Sequence, residues 1–196
     1  MRLFLTEKQI HQLIESARDN PRDYALLHLA ASTAFRGGDL LKLTIADVMA
    51  EDGRIVHTLR VKMQKVQRWI ERPLREGCRL ALFDYLSSRD DENPFLFISM
   101  DKGYMKRARP GPMTRFSYDD VMKLYLGKMF SKSKLRGSST HTLRRSVAKL
   151  VYLKTKSIPA AQYLLGHTSP VHTIRYLDPD EIQSTTNEVV LNQLEW

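Results

Sequence analysis

Hydrophobic positions recur at helical spacing over most of the chain. Thr6 and Gln9 fit a capping box, and Ile10, Leu13, Ile14 and Ala17 trace one apolar stripe, which predicts a first helix. Pro21 suits the first turn of a second helix, carried by apolar residues to about Phe35. Apolar and polar residues then roughly alternate over 53–60 and 68–74, the pattern of a β-hairpin. A helix over 77–88 precedes a short buried strand at 95–99. Ser117 with Asp120 begins a helix ending near Phe130. A basic, Ser- and Gly-rich loop spans 131–140, and Ser139 or Thr140 caps a helix that carries His141 and Arg144. Pro159 starts a helix ending at Gly166, and Pro170 starts a short one with Tyr176. Asp178-Pro179 opens a last helix with Ile182, Val189, Val190 and Leu194. The pattern describes a mainly α fold with a small antiparallel β-sheet, without internal repeats or a long linker.

Length and composition narrow this to one domain, 1–196, because 42% apolar residues fill a sizeable core. The net charge of +9 favours a polyanionic partner. The charge is also segregated: residues 121–177 hold no Asp or Glu. Two acid-free loops carry the candidate contacts to such a polyanion, Lys102, Lys106, Arg107, Arg109 and Arg115 in the first, Lys132, Lys134 and Arg136 in the second. The single cysteine, Cys78, excludes an intramolecular disulfide framework and reads as a packed apolar residue. The longest apolar run, 25–35, is too short to span a bilayer, and no signal peptide is visible. A cytoplasmic or nucleoid-associated protein is expected, with Met1 as a native start.

Four residues point to chemistry. His141 and Arg144 are three apart, so one helix face presents both, and a cation beside an imidazole suits a phosphate oxygen. His167 closes a Leu-Gly-His run, and Tyr176 follows it by nine residues, past Pro170. Such groups can bind a phosphodiester and attack it. No His-x-x-x-His pair, Cys cluster or paired carboxylates lie near them, so neither a metal nor another cofactor is expected.

This set resembles the catalytic domain of the tyrosine recombinases: phage integrases, Xer-type resolvases and fimbrial-switch invertases. Phe35-Arg36-Gly37-Gly38-Asp39-Leu40-Leu41 matches the family's first arginine segment, placed at the end of a helix. Lys65 lies eight residues before Pro73-Leu74, as the family's hairpin lysine does. His141 to Arg144 matches the His-x-x-Arg box, Leu165-Gly166-His167 the Leu-Gly-His box, and Tyr176 the tyrosine. Six positions at matching spacings are specific where one is not. The departures are Asp39 for glutamate, Gly37-Gly38 at a helix end, Arg145 for a frequent histidine, and a hairpin turn without its glycine. The family's N-terminal core-binding domain has no counterpart here, as in the fimbrial-switch invertases.

The resemblance implies a tyrosine recombinase catalytic-domain fold and a site-specific recombinase. Its catalytic residues would be Arg36, Lys65, His141, Arg144, His167 and the nucleophile Tyr176. Strands would be cut and rejoined through a 3′-phosphotyrosyl link, with inversion, excision or integration as the outcome. Double-stranded DNA is the implied partner. A homo-tetramer would dock through the last helix, and accessory DNA-bending proteins are admitted. Taken singly, each residue has an ordinary explanation. Arg36 can pair with Asp39, His141 and His167 can sit at helix ends, Lys65 can be a turn lysine, and Tyr176 can be a packing residue. Two rival classes stay open: a type IB topoisomerase-like enzyme, and a DNA-binding regulator that keeps the fold without strand exchange.

Overall fold

The computed structural model describes residues 3–63, 68–99 and 111–177. Helix α1 (Glu7–Glu15) carries the capping box read from Thr6 and Gln9. Helix α2 (Pro21–Thr33) is capped by Asn20, and its residues Ala25, Leu26, Leu27, Leu29 and Ala30 are buried nearly all round. Ala34 then takes a left-handed conformation, φ 50°, and ends the helix. Arg36 therefore lies not in a helix, as expected, but in extended backbone ahead of a short helix α3 (Gly37–Leu40). A Cβ on Gly37 would stand 3.4 Å from the Tyr118 ring, an ordinary contact.

Helix α4 (Ile45–Val48) leads to the antiparallel pair β1 (Thr58–Met63) and β2 (Arg68–Pro73), with Thr58 opposite Pro73 and Val61 opposite Ile70. The first arm starts at Thr58 rather than at residue 53. Gly53, φ 78°, turns the chain first, and Met49 and Ile55 make an isolated bridge of their own. Helix α5 (Glu76–Ser87) packs on α2. Among the described residues, the strand expected at 95–99 appears as isolated bridges, Phe95 with Thr44 and Ile98 with Pro112. Leu96, Phe97 and Ile98 are nevertheless buried there.

Helix α6 (Arg115–Gly127) begins after Thr114, whose hydroxyl accepts the amide of Ser117. Helix α7 (His141–Thr155) packs on α2, α8 (Ile158–Leu165) on α7, and α9 (Pro170–Tyr176) on α8. Ser139 is the effective cap of α7: its hydroxyl accepts from the His141 amide at 3.2 Å. The main core spans α1 to α7. A smaller one, of Ala148, Tyr152, Ala161, Leu165 and Leu177, lies under the last three helices. Among the described residues, no helix is long and apolar enough to cross a membrane. The last helix expected from Asp178, with Ile182, Val189, Val190, Leu194 and Trp196, lies outside the described residues.

Candidate active site

The site is assembled by Arg144. Its side chain is 2% exposed, and it leaves α7 one turn after His141. One Nη donates to the Ala34 carbonyl at the end of α2, and the other to the Leu165 carbonyl at the end of α8, 2.6 Å away. A single guanidinium thus fastens together the segment that delivers Arg36 and the one that delivers His167. The planar fork suits this task, and a lysine could not reproduce it.

Tyr176, the last residue of α9, lies among these groups. His141 Nδ1 is 3.2 Å from its hydroxyl. The His167 ring meets its ring edge-on with centroids 5.5 Å apart, and the Arg144 guanidinium carbon stands 5.8 Å from the ring centroid. Burial raises the Tyr176 phenol above its ordinary value, while Arg144 and Arg145 pull it back down. Arg144 itself is pushed down to about 10, chiefly by burial. Arg36 is close enough to act on His141, Arg144 and Tyr176, and its Nη1 is buried without a hydrogen-bond partner among the described residues. A buried donor of this kind is costly unless a ligand completes it.

Burial, followed by Arg144 and then Arg145, holds His141 below the ordinary imidazole value, and burial does the same for His28. The folded state therefore binds fewer protons at these two groups than the unfolded chain. Their contribution to stability is intact above pH 6.5, the usual imidazole value, and is lost as the pH falls through the window below it. Replacing both by Gln should flatten the fall of the urea midpoint between about pH 7 and pH 5. An unchanged slope would contradict these environments.

His167 follows Gly166, which has φ 58° and caps α8. Its left-handed conformation requires the glycine, and a Cβ there would stand 2.7 Å from Ile70 Cδ1, the end of a side chain that would have to swing aside. Gly166→Ala should destabilise the fold by about 1–3 kcal/mol in urea denaturation. Adding Ile70→Ala should recover the part due to the clash. His167 Nδ1 is 3.1 Å from the hydroxyl of Thr173, a fully buried residue, which fixes the ring. The Gln162 side chain also donates to the His167 carbonyl at 3.0 Å.

Of the six predicted catalytic positions, five converge: Arg36, His141, Arg144, His167 and Tyr176. Lys65 lies outside the described residues, as do Lys102, Lys106, Arg107 and Arg109. Arg115 opens α6 near enough to act on His141, whereas Lys132, Lys134 and Arg136 are exposed between α6 and α7. Among the described residues, no cluster of three or more His, Cys, Asp or Glu is placed to hold a metal ion.

Sequence reasoning missed Thr173 and Arg72. Arg72 is 3% exposed on β2, and one Nη donates at 2.8 Å to the carbonyls of both Tyr163 and Leu164. The signal was present: Ile70, Arg72 and Leu74 share the inward, period-2 side of the strand, so an arginine falls where an apolar residue is expected. Beside it, an open cleft of about 500 Å³ is lined by Arg60, Trp69, Tyr163 and His167, among others.

The chain is similar to known proteins. The phage integrase family profile matches residues 3–182. The probable integrase/recombinase YoeC of Bacillus subtilis is 28% identical over 162 residues, 83% of this chain and 80% of YoeC. The crystal structure of XerA recombinase superposes with a TM-score of 0.74 at 24% identity, over 100% of this chain and 65% of that one. The XerH site-specific recombinase, solved bound to its difH substrate before cleavage, gives 0.67 at 19% identity, over 88% of this chain and 49% of that one. The chain thus spans most of YoeC but only about half to two-thirds of the solved recombinases. Its fold is that of a tyrosine recombinase catalytic domain, mainly α with one small antiparallel sheet, and with the match covering nearly its whole length, the chain belongs to the phage integrase family.

Proposed function

We propose that this chain is the catalytic domain of a site-specific DNA recombinase, cutting and rejoining duplex DNA through a 3′-phosphotyrosyl intermediate on Tyr176. The observation that carries the reading is the convergence of His141 and Arg144 from α7, and of His167 from the turn after α8, on one tyrosine hydroxyl and ring. Arg144 and Arg36 bind the nonbridging oxygens of the scissile phosphate, where negative charge grows in the transition state. The unpartnered Nη1 of Arg36 supports that role. His167 adds a further donor to the same oxygens.

His141, kept neutral by burial and by Arg144, takes the phenol proton across 3.2 Å. The Tyr176 oxygen then bonds to phosphorus as the bond to the 5′-oxygen breaks, and Lys65 protonates that leaving oxygen. The new phosphodiester keeps the energy of the old one, so reversal by the 5′-hydroxyl of another strand needs no ATP. Arg115, Lys132, Lys134 and Arg136, with Lys102, Lys106, Arg107 and Arg109, hold the DNA backbone without reading sequence. A tetramer on DNA, docked through the segment after Tyr176 and helped by DNA-bending proteins, would carry out the exchange at the nucleoid.

The polarity of the link tests this. Nicked duplexes can be selected from a random library by SDS-resistant capture on the wild-type chain, then labelled on either side of the break. The reading expects the protein to carry the 5′-labelled fragment, joined through its 3′-phosphate. Capture of the opposite fragment, or none, would overturn it.

A further inference from the structure

Two guanidiniums serve the C-terminus of α8. A helix end leaves its last carbonyls without internal partners, and buried ones need a donor. Here Arg144 satisfies Leu165, while Arg72 satisfies Leu164 and shares Tyr163 with the Gly166 amide. Arg72 belongs to neither the predicted set nor the convergent one, yet it is as buried as Arg144. Its other Nη is spent on the Glu71 carbonyl at 2.8 Å, and its guanidinium carbon lies 4.9 Å from the centroid of the exposed Tyr163 ring. The side chain is therefore held on three sides and points at the turn before His167 rather than at solvent. A second, independent contact joins the same two pieces: Ile70, on the same side of β2, lies against Gly166, where a Cβ would stand 2.7 Å from its Cδ1.

We infer that Arg72 is a positioning residue for His167, fastening the Leu165-Gly166-His167 turn to β2 so that the imidazole stands over Tyr176. Its role rests on the proposed participation of His167 in cleavage. Arg72 does not touch the phosphate. It fixes the backbone from which His167 departs, while Thr173 fixes the ring. A displacement of the order of 1 Å at such a group is enough to cost about 10²-fold in rate.

The test is a double-mutant cycle on the full chain, read as single-turnover cleavage of a nicked duplex selected by covalent capture. Arg72→Gln should slow cleavage by about 10- to 100-fold while DNA affinity holds. Arg72→Lys should restore little, because one ammonium cannot serve two carbonyls in a fixed fork. In a His167→Ala background, Arg72→Gln should change the rate very little, since neighbours acting through one group are not additive. A full additional penalty in that background would make Arg72 a general structural cap and overturn the inference, as would wild-type cleavage by Arg72→Gln. Wild-type cleavage by His167→Ala would instead remove the role proposed for His167, and the inference with it. Should Arg72→Gln fold poorly, the ¹⁵N resonances of the His167 imidazole in Arg72→Lys, without DNA, decide. They should shift while those of His141 stay, and unmoved His167 resonances would overturn the assignment.

Discussion

Arg144→Ala should abolish measurable recombination and weaken the fold at the same time. Two effects add. The phosphate loses a preorganised fork of donors, typically worth about 10²–10³ in rate for a single donor. The buried carbonyls of Ala34 and Leu165 lose their partner, at about 1–3 kcal/mol for each group left unsatisfied. The lost contacts also release the Arg36 and His167 segments from each other, so the cleavage defect should exceed what removal of one charge explains. Arg144→Lys keeps the charge but cannot span both carbonyls, and should recover stability in part and cleavage hardly at all. Single-turnover cleavage alongside urea denaturation separates the two effects. An Arg144→Ala chain that cleaves within a few-fold of wild type would remove the centre of the proposed site.

Tyr176→Phe should be the opposite kind of lesion: complete loss of covalent attachment with folding and DNA binding nearly unchanged. Only a hydroxyl is removed, the ring still packs edge-on against His167, and Arg144 still lies by its face. The charges that hold DNA stay in place, so affinity and its steep salt dependence should persist. Gel-shift and SDS-resistant adduct assays on the same preparation check both halves. An adduct formed by the Phe variant would assign the nucleophile to another of the eight tyrosines.

Much of this architecture was legible along the chain because helix ends announce themselves. Thr6 with Gln9, Pro21, Pro159 and Pro170 all mark starts that the structure shows. The His141–Arg144 pair was legible because helical spacing alone puts both on one side. What could not be read locally depends on neighbours far along the chain. Nothing about Ala34 announces a left-handed backbone, yet that residue ends α2 early and leaves Arg36 in extended chain. Residues 95–99 have the apolar character of a strand, but a strand needs a partner, and among the described residues they make single bridges. The period-2 pattern turns Arg72 inward with Ile70 and Leu74, but its partners, the last carbonyls of α8, lie some ninety residues on. Thr173 reads as an ordinary helix residue until α9 lays it against His167.

The claim on which the rest depends is that Tyr176 bonds to DNA. The most direct measurement traps the adduct on a selected suicide duplex, digests it with nuclease and protease, and locates the residual nucleotide by mass spectrometry. The nucleotide should sit on the peptide containing His172-Thr173-Ile174-Arg175-Tyr176, linked through a 3′-phosphate. A nucleotide on any other tyrosine, or on no residue at all, would contradict the assignment.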